Sequence, residues 1–185
     1  MNNQYFLYTG NAYPHKNLSR LIDAMILFNR GRKKIIKLKI VSGKNVFIER
    51  LRNEIENKNA NMYIELLGFV PDSDLKILYK NSIAFVFPTL AEGFGLPPIE
   101  AIEAGTLVIQ SDIPVLKEVY QKSAIYFDPM DIDSIAESLK AVLNLSEMER
   151  KKKIIYAQKF VKIYSWAKMA RETLKIYEKE GSHSI

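Results

Sequence analysis

The chain has 185 residues, 48% of them hydrophobic, which is enough for one globular domain with a packed core and excludes a disordered protein. Cysteine is absent and the only histidines are His15 and His183, so disulfides and thiolate metal sites are excluded and a zinc site is not expected. The net charge of +6 combines +8 in residues 1–60, −7 in residues 61–145 and +5 in residues 146–185, which excludes a uniformly basic chain.

The first half of the chain alternates apolar runs with amphipathic segments. Apolar runs predict buried strands over residues 4–9, 35–41 and 62–67. Apolar residues at helical spacing predict helices over residues 18–29 and 46–58, and a third helix that begins at residues 71–73. Asn17 has the residue type and the position of an amino-terminal cap for the first of these helices.

The second half continues this alternation with shorter segments. Strands are predicted over residues 83–87, 107–109 and 124–127. Helices are predicted from Pro97 to a carboxyl-terminal cap at Gly105, and over residues 114–120, 131–143 and 147–180, with a break in the last near Tyr164 and Ser165. Buried strands that alternate with helices predict an α/β fold, a Rossmann-like open parallel sheet with helices on both faces.

The stretch from Glu92 to Glu100, which joins a buried strand to a helix, is the first candidate site. Loop and helix-start N–H groups lack internal partners, so those of Phe94, Gly95 and Leu96 are predicted to bind diphosphate or sugar oxygens. Glu100, in the first helical turn, is expected to accept hydrogen bonds from a ribose diol, and Glu92 to face a sugar. The alternative is that the glutamates only favour the helix dipole and the glycines only serve the turn.

Two further loops follow predicted strands, where an open parallel sheet binds its ligands. The first runs over residues 10–17, and the ammonium of Lys16 is placed to meet a phosphate there. The alternative for Lys16 is a solvated side chain, and His15 is interpreted as a surface residue. In the second loop, Phe69 and Val70 are candidates to flank a planar base, and the alternative is an ordinary strand-to-helix turn.

Four segments, in order, resemble the carboxyl-terminal half of the GT-B glycosyltransferases of family 4: GNAYPHKNLSRLIDA, GFVPDSDLKILYKNS, FPTLAEGFGLPPIEAIEAGTLVIQSDIPVLKEV and AIYFDPMDIDSIAESL. The resemblance covers about residues 4–170, and its most specific feature is two glutamates with seven residues between them, GFGLP among those seven. It implies one nucleotide-sugar-binding domain over residues 1–185, with helices over residues 146–185 that pack back towards a first domain. The amino-terminal acceptor domain is then absent, and the chain is an excised domain, a truncated product or half of a split enzyme.

The resemblance also implies roles for individual residues. Lys16 would neutralise the donor diphosphate, Glu92 would contact the transferred sugar, and Glu100 would hold the ribose hydroxyls. The remaining residues that it places around the donor are Gly10, Asn11, Phe69, Val70, Gly93, Phe94, Gly95 and Leu96. Many members carry arginine where this chain has Asn11, so Lys16 would bear more of the diphosphate charge.

The function that the resemblance implies is retaining transfer of a sugar from a nucleotide-diphosphate donor to a hydroxyl acceptor, in bacterial lipopolysaccharide or polysaccharide synthesis. No metal and no cofactor beyond the donor substrate are expected, with Lys16 and Glu92 as the catalytic residues. The alternative is a non-catalytic nucleotide-sugar-binding subunit that needs a partner chain.

Composition sets the expectations for location and partners. The sequence has no apolar stretch long enough to span a bilayer and no signal-peptide pattern, so we expect a cytoplasmic protein. The lysine-rich region around Lys151–Lys153 is interpreted either as a solvated helix face or as a surface that touches the inner face of an anionic membrane. No aromatic platform, recognition helix or zinc motif accompanies the basic ends, so nucleic acid is not expected as a partner.

Overall fold

Six parallel strands form one sheet in the computed structural model, which describes residues 4–181. The strands are β1 (Tyr5–Thr9), β2 (Lys37–Val41), β3 (Ile64–Gly68), β4 (Phe85–Phe87), β5 (Val108–Ser111) and β6 (Ile125–Phe127). Their order is β3-β2-β1-β4-β5-β6, and every neighbouring pair is parallel. The chain therefore winds outwards from β1, crosses back after β3, and winds outwards again from β4, which places a topological switch point between β1 and β4.

Eight α-helices cover the sheet or follow it within the described residues. They are α1 (Leu18–Asn29), α2 (Val46–Asn57), α3 (Asp72–Asn81), α4 (Leu96–Glu103), α5 (Pro114–Tyr120), α6 (Ile132–Leu143), α7 (Glu147–Val161) and α8 (Trp166–Gly181). Helix α1 packs against α2 and α6, whereas α4 packs against α3 and α7, so two groups of helices cover the two faces. The predicted Rossmann-like open parallel sheet with helices on both faces is confirmed.

The core explains why the strands are continuous apolar runs. Every residue of β1 and β4 is buried, and Phe6, Leu7 and Tyr8 have no exposed surface. A central parallel strand is covered on both faces, so neither face tolerates a charged side chain. Edge strand β3 is only half-buried beyond its first residue, and it begins two residues later than predicted.

Asn17 precedes α1 as predicted, but it does not cap the helix through its side chain. Its backbone is left-handed, with φ of 58°, and no side-chain capping bond forms. Its Nδ2 instead donates to the carbonyls of Pro88 and Pro129, at 3.1 and 2.8 Å. The capping prediction was wrong because this amide is buried and ties together the loops that follow β1, β4 and β6.

The predicted position of Glu100 in the first turn of its helix was also wrong. Helix α4 begins at Leu96, with Gly95 as its cap, so Glu100 falls in the second turn. The cap residue at the end of α4 is Ala104, so the predicted cap at Gly105 is one residue too late. Gly105 follows it with φ of 83°, and its N–H donates to the carbonyl of Ile102 at 2.9 Å.

The carboxyl-terminal region divides into a packed helix and an exposed one. Ser146 caps α7, whose Arg150 donates hydrogen bonds to the carbonyls of Ser82 and Ile83. The predicted break near residue 164 is confirmed, since α7 ends at Val161 and α8 begins at Trp166. His183 lies outside the described residues. Within residues 4–181, no helix is long and apolar enough to cross a membrane.

Candidate functional site

Two loops meet at the switch point of the sheet. The β1 loop (residues 10–17) follows β1, and the β4 loop (residues 88–95) follows the neighbouring strand β4. The His15 carbonyl accepts hydrogen bonds from the backbone N–H of Leu90 at 2.7 Å and from the hydroxyl of Thr89 at 3.2 Å. These bonds fix the two loops against each other, so His15 contributes through its backbone and the loops act as one unit.

An ion pair between Lys16 and Glu92 lies across the two loops. The side chains are 13% and 15% exposed, and the Lys16 ammonium lies 5.4 Å from the centre of the Phe87 ring. Lys16 is therefore held in a partly dry position and is not a solvated side chain. An anionic ligand that binds Lys16 would compete with Glu92 for the same ammonium.

The β4 loop offers backbone donors beside this pair. Among residues 4–181, the N–H groups of Glu92, Gly93, Phe94, Gly95 and Leu96 have no hydrogen-bond acceptor. The next two residues are prolines, which have no N–H, so the helix itself adds fewer donors than an ordinary amino terminus. An anion at this site would therefore be held mainly by amides of the loop.

The conformation of Gly95 shapes the β4 loop. Its φ is 84°, a left-handed value that residues with a Cβ rarely adopt. A Cβ at this position would lie 3.1 Å from Leu116 Cδ2 and 3.3 Å from Phe87 Cε1. Any other residue would strain the backbone and would require these neighbouring side chains to shift, so glycine fits the loop best at this position.

Tyr120, at the end of α5, holds the β4 loop in place through a hydrogen bond. Its buried hydroxyl donates to the Gly95 carbonyl. Burial raises the pKa of Tyr120 far above its usual value, the nearby N–H of Ile99 lowers that pKa, and electrostatic interactions with Tyr164 and Glu92 raise it. The hydroxyl thus keeps its proton and remains a donor throughout the physiological range.

Tyr8 supports the β1 loop in the same way. Its hydroxyl donates to the carbonyl of Asn11 at 2.7 Å. Burial and the charge of Glu92 both raise the pKa of Tyr8 well above its usual value. Gly10 has φ of 133°, and a Cβ there would approach Tyr8 Oη to 3.2 Å. The predicted residues Gly10 and Asn11 therefore lie directly over a buried hydroxyl that positions them.

Glu100 is linked to the β1 loop through a third buried tyrosine. The hydroxyl of Tyr79, on α3, donates to Glu100 Oε2 at 3.1 Å and lies 2.7 Å from Thr9 Oγ1. Thr9 ends β1 and directly precedes the β1 loop. The structure thus brings Lys16, Glu92 and the β4 loop together, and it connects Glu100 to them through Tyr79.

Phe69 and Val70 lie at the same edge of the sheet but away from these residues. They follow β3, two strands from β1, at a lateral separation of roughly 10 Å. Phe69 is 80% exposed, whereas Val70 is half-buried against the core. Among residues 4–181, no hydrogen bond or ring contact joins either to Lys16, Glu92 or Glu100. Their predicted role at a base pocket stays a prediction.

Phe94 connects the site to the carboxyl-terminal region. Its ring packs edge-to-face on Tyr164, with centroids 5.1 Å apart. Tyr164 lies between α7 and α8, and its hydroxyl donates to the Val119 carbonyl at 2.9 Å. The β4 loop is therefore braced from α5 and from the segment that leads to α8.

Sequence reasoning missed the three supporting tyrosines. Tyr8 was assigned to a buried strand and Tyr120 to the end of a helix, but neither hydroxyl was given a partner. A buried tyrosine usually forms a hydrogen bond through its hydroxyl. A tyrosine within a predicted buried segment therefore indicates a contact with another element. The acceptors themselves lie in other elements, up to 25 residues away along the chain, and local patterns do not identify them.

Comparisons with known proteins give the family and the fold of this chain. A family model described as "Glycosyl transferases group 1" matches residues 1–160. The O-antigen chain mannosyltransferase RfbU of Salmonella typhimurium is 35% identical over 143 residues, which are 77% of this chain and 39% of that protein. The O-antigen chain mannosyltransferase B of Escherichia coli is 30% identical over 177 residues, which are 94% of this chain and 45% of that protein.

Solved structures show the same fold. Sucrose-phosphate synthase of Thermosynechococcus elongatus superimposes with a TM-score of 0.84 at 20% identity, over 98% of this chain and 46% of that one. The chain thus spans less than half the length of the proteins that it matches. Since the family model covers most of its residues, the chain belongs to the group 1 family of glycosyl transferases, which have the GT-B fold.

Proposed function

We propose that this chain is the donor-binding domain of a retaining glycosyltransferase. It binds a nucleotide-diphosphate sugar, and the complete enzyme moves the sugar to a hydroxyl acceptor. The observation that carries the proposal is the pairing of Lys16 with Glu92 beside unpaired loop amides at the switch point of the sheet. A cation, a carboxylate and free amides in one place fit a ligand that has both phosphate and hydroxyl groups.

In the proposed reaction, the bond between the anomeric carbon and the phosphate oxygen breaks, and its electron pair leaves with the nucleoside diphosphate. The acceptor hydroxyl oxygen forms the new bond on the same face and its proton passes to the departing diphosphate, so the configuration is retained. Negative charge grows on the leaving diphosphate, where Lys16 and the amides of Phe94, Gly95 and Leu96 would stabilise it. Glu92 would position the sugar through its hydroxyls, and no nucleophilic role is assigned to it.

This mechanism requires no divalent cation and no cofactor beyond the nucleotide sugar. The support is electrostatic, since Lys16 already lies in a partly dry site where a diphosphate would replace Glu92 as its partner. The complete enzyme is expected to keep its activity in excess chelator. A strict requirement for a divalent ion, or an inverted product, would contradict the proposed mechanism.

The relatives suggest the pathway and the sugar. Both curated relatives are named as O-antigen chain mannosyltransferases, which supports mannose as the transferred sugar and lipopolysaccharide or another bacterial polysaccharide as the product. Phe69 and Val70 are proposed to flank the nucleotide base. The exposed ring of Phe69 leaves a planar surface available for such a contact.

The acceptor is proposed to bind a separate amino-terminal domain, in the same chain or in a partner. The chain matches 39% and 45% of the two curated relatives, and α8 exposes apolar side chains that such a domain would cover. We also propose a cytoplasmic enzyme whose exposed Lys151–Lys153 contacts anionic lipid at the inner face of the membrane. Co-sedimentation with anionic vesicles, lost when these lysines are changed to glutamine, tests that contact.

The proposed donor site is tested by calorimetric titration of the chain with UDP, GDP and ADP in the absence of metal. We expect saturable binding of one of the three nucleotides, which identifies the base. Lys16→Ala and Glu100→Ala should each abolish this binding while the unfolding transition is kept. Lys122→Ala and Glu103→Ala remove exposed charges of the same types elsewhere and serve as matched controls.

Absence of binding by all three nucleotides would contradict the proposed donor site. Binding that both variants retain would place the nucleotide elsewhere on the chain. The alternative function, a non-catalytic nucleotide-sugar-binding subunit, predicts binding without transfer. Turnover by this chain alone, with a hydroxyl acceptor, would exclude that alternative.

A further inference from the structure

Tyr79 is held inside the protein by hydrogen bonds at both its backbone carbonyl and its side-chain hydroxyl. The residue is 2% exposed, and its ring packs edge-on against Phe85 with centroids 5.4 Å apart. Its backbone carbonyl accepts hydrogen bonds from the hydroxyls of Ser82 and Thr106, at 2.8 and 2.5 Å. Its position is therefore set by α3, β4 and the segment after α4, and its hydroxyl has little freedom to move.

The hydrogen bonds at the Tyr79 hydroxyl have a defined direction. An ionised carboxylate only accepts, so the Tyr79 proton lies on the bond to Glu100. The hydroxyl of Thr9 must then donate to the Tyr79 oxygen, at 2.7 Å. Burial raises the pKa of Tyr79 far above its usual value, the bond from Thr9 lowers that pKa, and Glu100 raises it. A chain of donors thus runs from Thr9 through Tyr79 to Glu100.

Among residues 4–181, the hydrogen bonds from Thr9 through Tyr79 are the ones that orient the Glu100 carboxylate. The residue is exposed, and among residues 4–181 its carboxylate has one hydrogen-bond partner, the Tyr79 hydroxyl on Oε2. An exposed glutamate without such a bond samples several rotamers, and a ligand must then restrict them at an entropic cost. With Oε2 held, Oε1 keeps a fixed direction and its full capacity to accept hydrogen bonds.

We propose that Tyr79 is a positioning residue that holds Glu100 ready for the ribose hydroxyls and so makes the site select ribonucleotides over deoxyribonucleotides. The inference rests on the proposed donor site and adds to it the residue that sets sugar selectivity in the nucleoside. Tyr79 does not touch the ligand. It acts through the carboxylate, because a fixed acceptor distinguishes a diol from a single hydroxyl better than a mobile one.

The experiment measures the affinity of the chain for the nucleoside diphosphate that it binds and for the 2′-deoxy form of that nucleotide. The wild-type chain should bind the ribose form more tightly. Tyr79→Phe keeps the ring but removes the donor, and it should weaken the ribose form about 3- to 10-fold, the range of one net hydrogen bond. The deoxy form should change less than about twofold, because it lacks the diol that the oriented carboxylate recognises.

Tyr5→Phe is the matched control. Tyr5 lies at the opposite end of β1, and its hydroxyl donates to the Leu78 carbonyl of the same helix at 2.8 Å. This variant also removes a hydroxyl bonded to α3, but far from the donor site, so both affinities should stay unchanged. Glu100→Gln keeps the side-chain size and should abolish the preference for the ribose form over the deoxy form. The loss of preference in this variant is the upper limit for the loss expected in Tyr79→Phe.

The outcomes separate this inference from the proposed function. If the wild-type chain binds no nucleotide, the donor site itself is contradicted, and this inference falls with it. If the chain binds nucleotides but Tyr79→Phe weakens the ribose and deoxy forms equally, Tyr79 has only a structural role and this inference alone is overturned. Equal wild-type affinity for the two forms would overturn it as well.

Discussion

At the scale of single residues, the β4 loop depends on one glycine. Gly95 combines a left-handed backbone with side chains of α5 and β4 in contact distance, so its replacement meets both a torsional and a steric penalty. Its neighbour Gly93 has neither, since no atom lies within 4 Å of its Cβ position and its φ is not positive. The two glycines of the same motif therefore have different roles.

Gly95→Ala is expected to lower the free energy of unfolding by about 2 to 4 kcal/mol, the sum of a left-handed alanine and an overpacked contact. Gly93→Ala should change it by less than about 0.5 kcal/mol. Urea unfolding followed by circular dichroism measures both values. Equal effects at the two positions would show that the left-handed conformation of Gly95 is not required.

Most candidate site residues could be predicted at this scale because their residue types carry the chemistry. Lys16, Glu92 and Glu100 were named from the order of a strand, a loop and a helix start. What could not be predicted is their pairing in space. The ion pair of Lys16 with Glu92 joins residues 76 positions apart, and only the adjacency of β1 and β4 brings them together.

At the scale of elements, the strands and helices were predictable where burial is complete. Strand β1 is apolar throughout because it is covered on both faces, and α1 shows its buried face at regular spacing. Strands β2, β3 and β4 each begin two residues later than predicted, because the apolar run in the sequence extends into the segment before the strand. The side-chain contacts between loops were not predictable, as the corrected role of Asn17 shows.

Asn17 and Asn45 differ in how much they depend on the side-chain nitrogen. Asn17 Nδ2 makes two buried bonds, and its Oδ1 accepts from Arg20 at 3.0 Å, whereas Asn45 Nδ2 makes one exposed bond, to the Gly43 carbonyl at 3.4 Å. Asn17 donates through Nδ2 to two carbonyls, whereas Asn45 accepts through Oδ1 from the N–H groups of Phe47 and Ile48, at 2.9 and 3.0 Å. Asn17→Asp should therefore lower the free energy of unfolding by about 2 to 4 kcal/mol, because a buried carboxylate would face carbonyl oxygens. Asn45→Asp should change it by less than about 0.5 kcal/mol, because aspartate caps a helix equally well.

Thermal and urea unfolding of the two variants test this difference. The pH should be above 6, where both aspartates are ionised if unperturbed. If Asn17→Asp is as stable as the parent, the three loops are not held together by that amide. In that case, the geometry of the β1 and β4 loops must be maintained by the backbone bonds to the His15 carbonyl.

At the scale of the whole molecule, the described residues divide into a packed domain and one exposed helix. The sheet and helices α1–α7 share a common core, whereas α8 is exposed along its described side chains. Trp166 and Tyr177 are 69% and 71% exposed, and with Met169 and Leu174 they lie towards one side of the helix. A helix of 16 residues gains little stability in water without packing, so this face is expected to be covered by the proposed amino-terminal domain.

Removal of α8 should therefore leave the domain intact. A chain that stops after Ser165 is expected to keep its free energy of unfolding within about 0.5 kcal/mol, because the deleted side chains are not part of the core. It should also keep its nucleotide affinity, since Tyr164, which braces Phe94, is retained. As a comparison, Val161→Ala at the buried end of α7 should cost roughly 1 to 3 kcal/mol. A loss above about 1 kcal/mol on deletion of α8 would mean that this helix stabilises the described domain itself, which would contradict the proposal that its apolar face binds another domain.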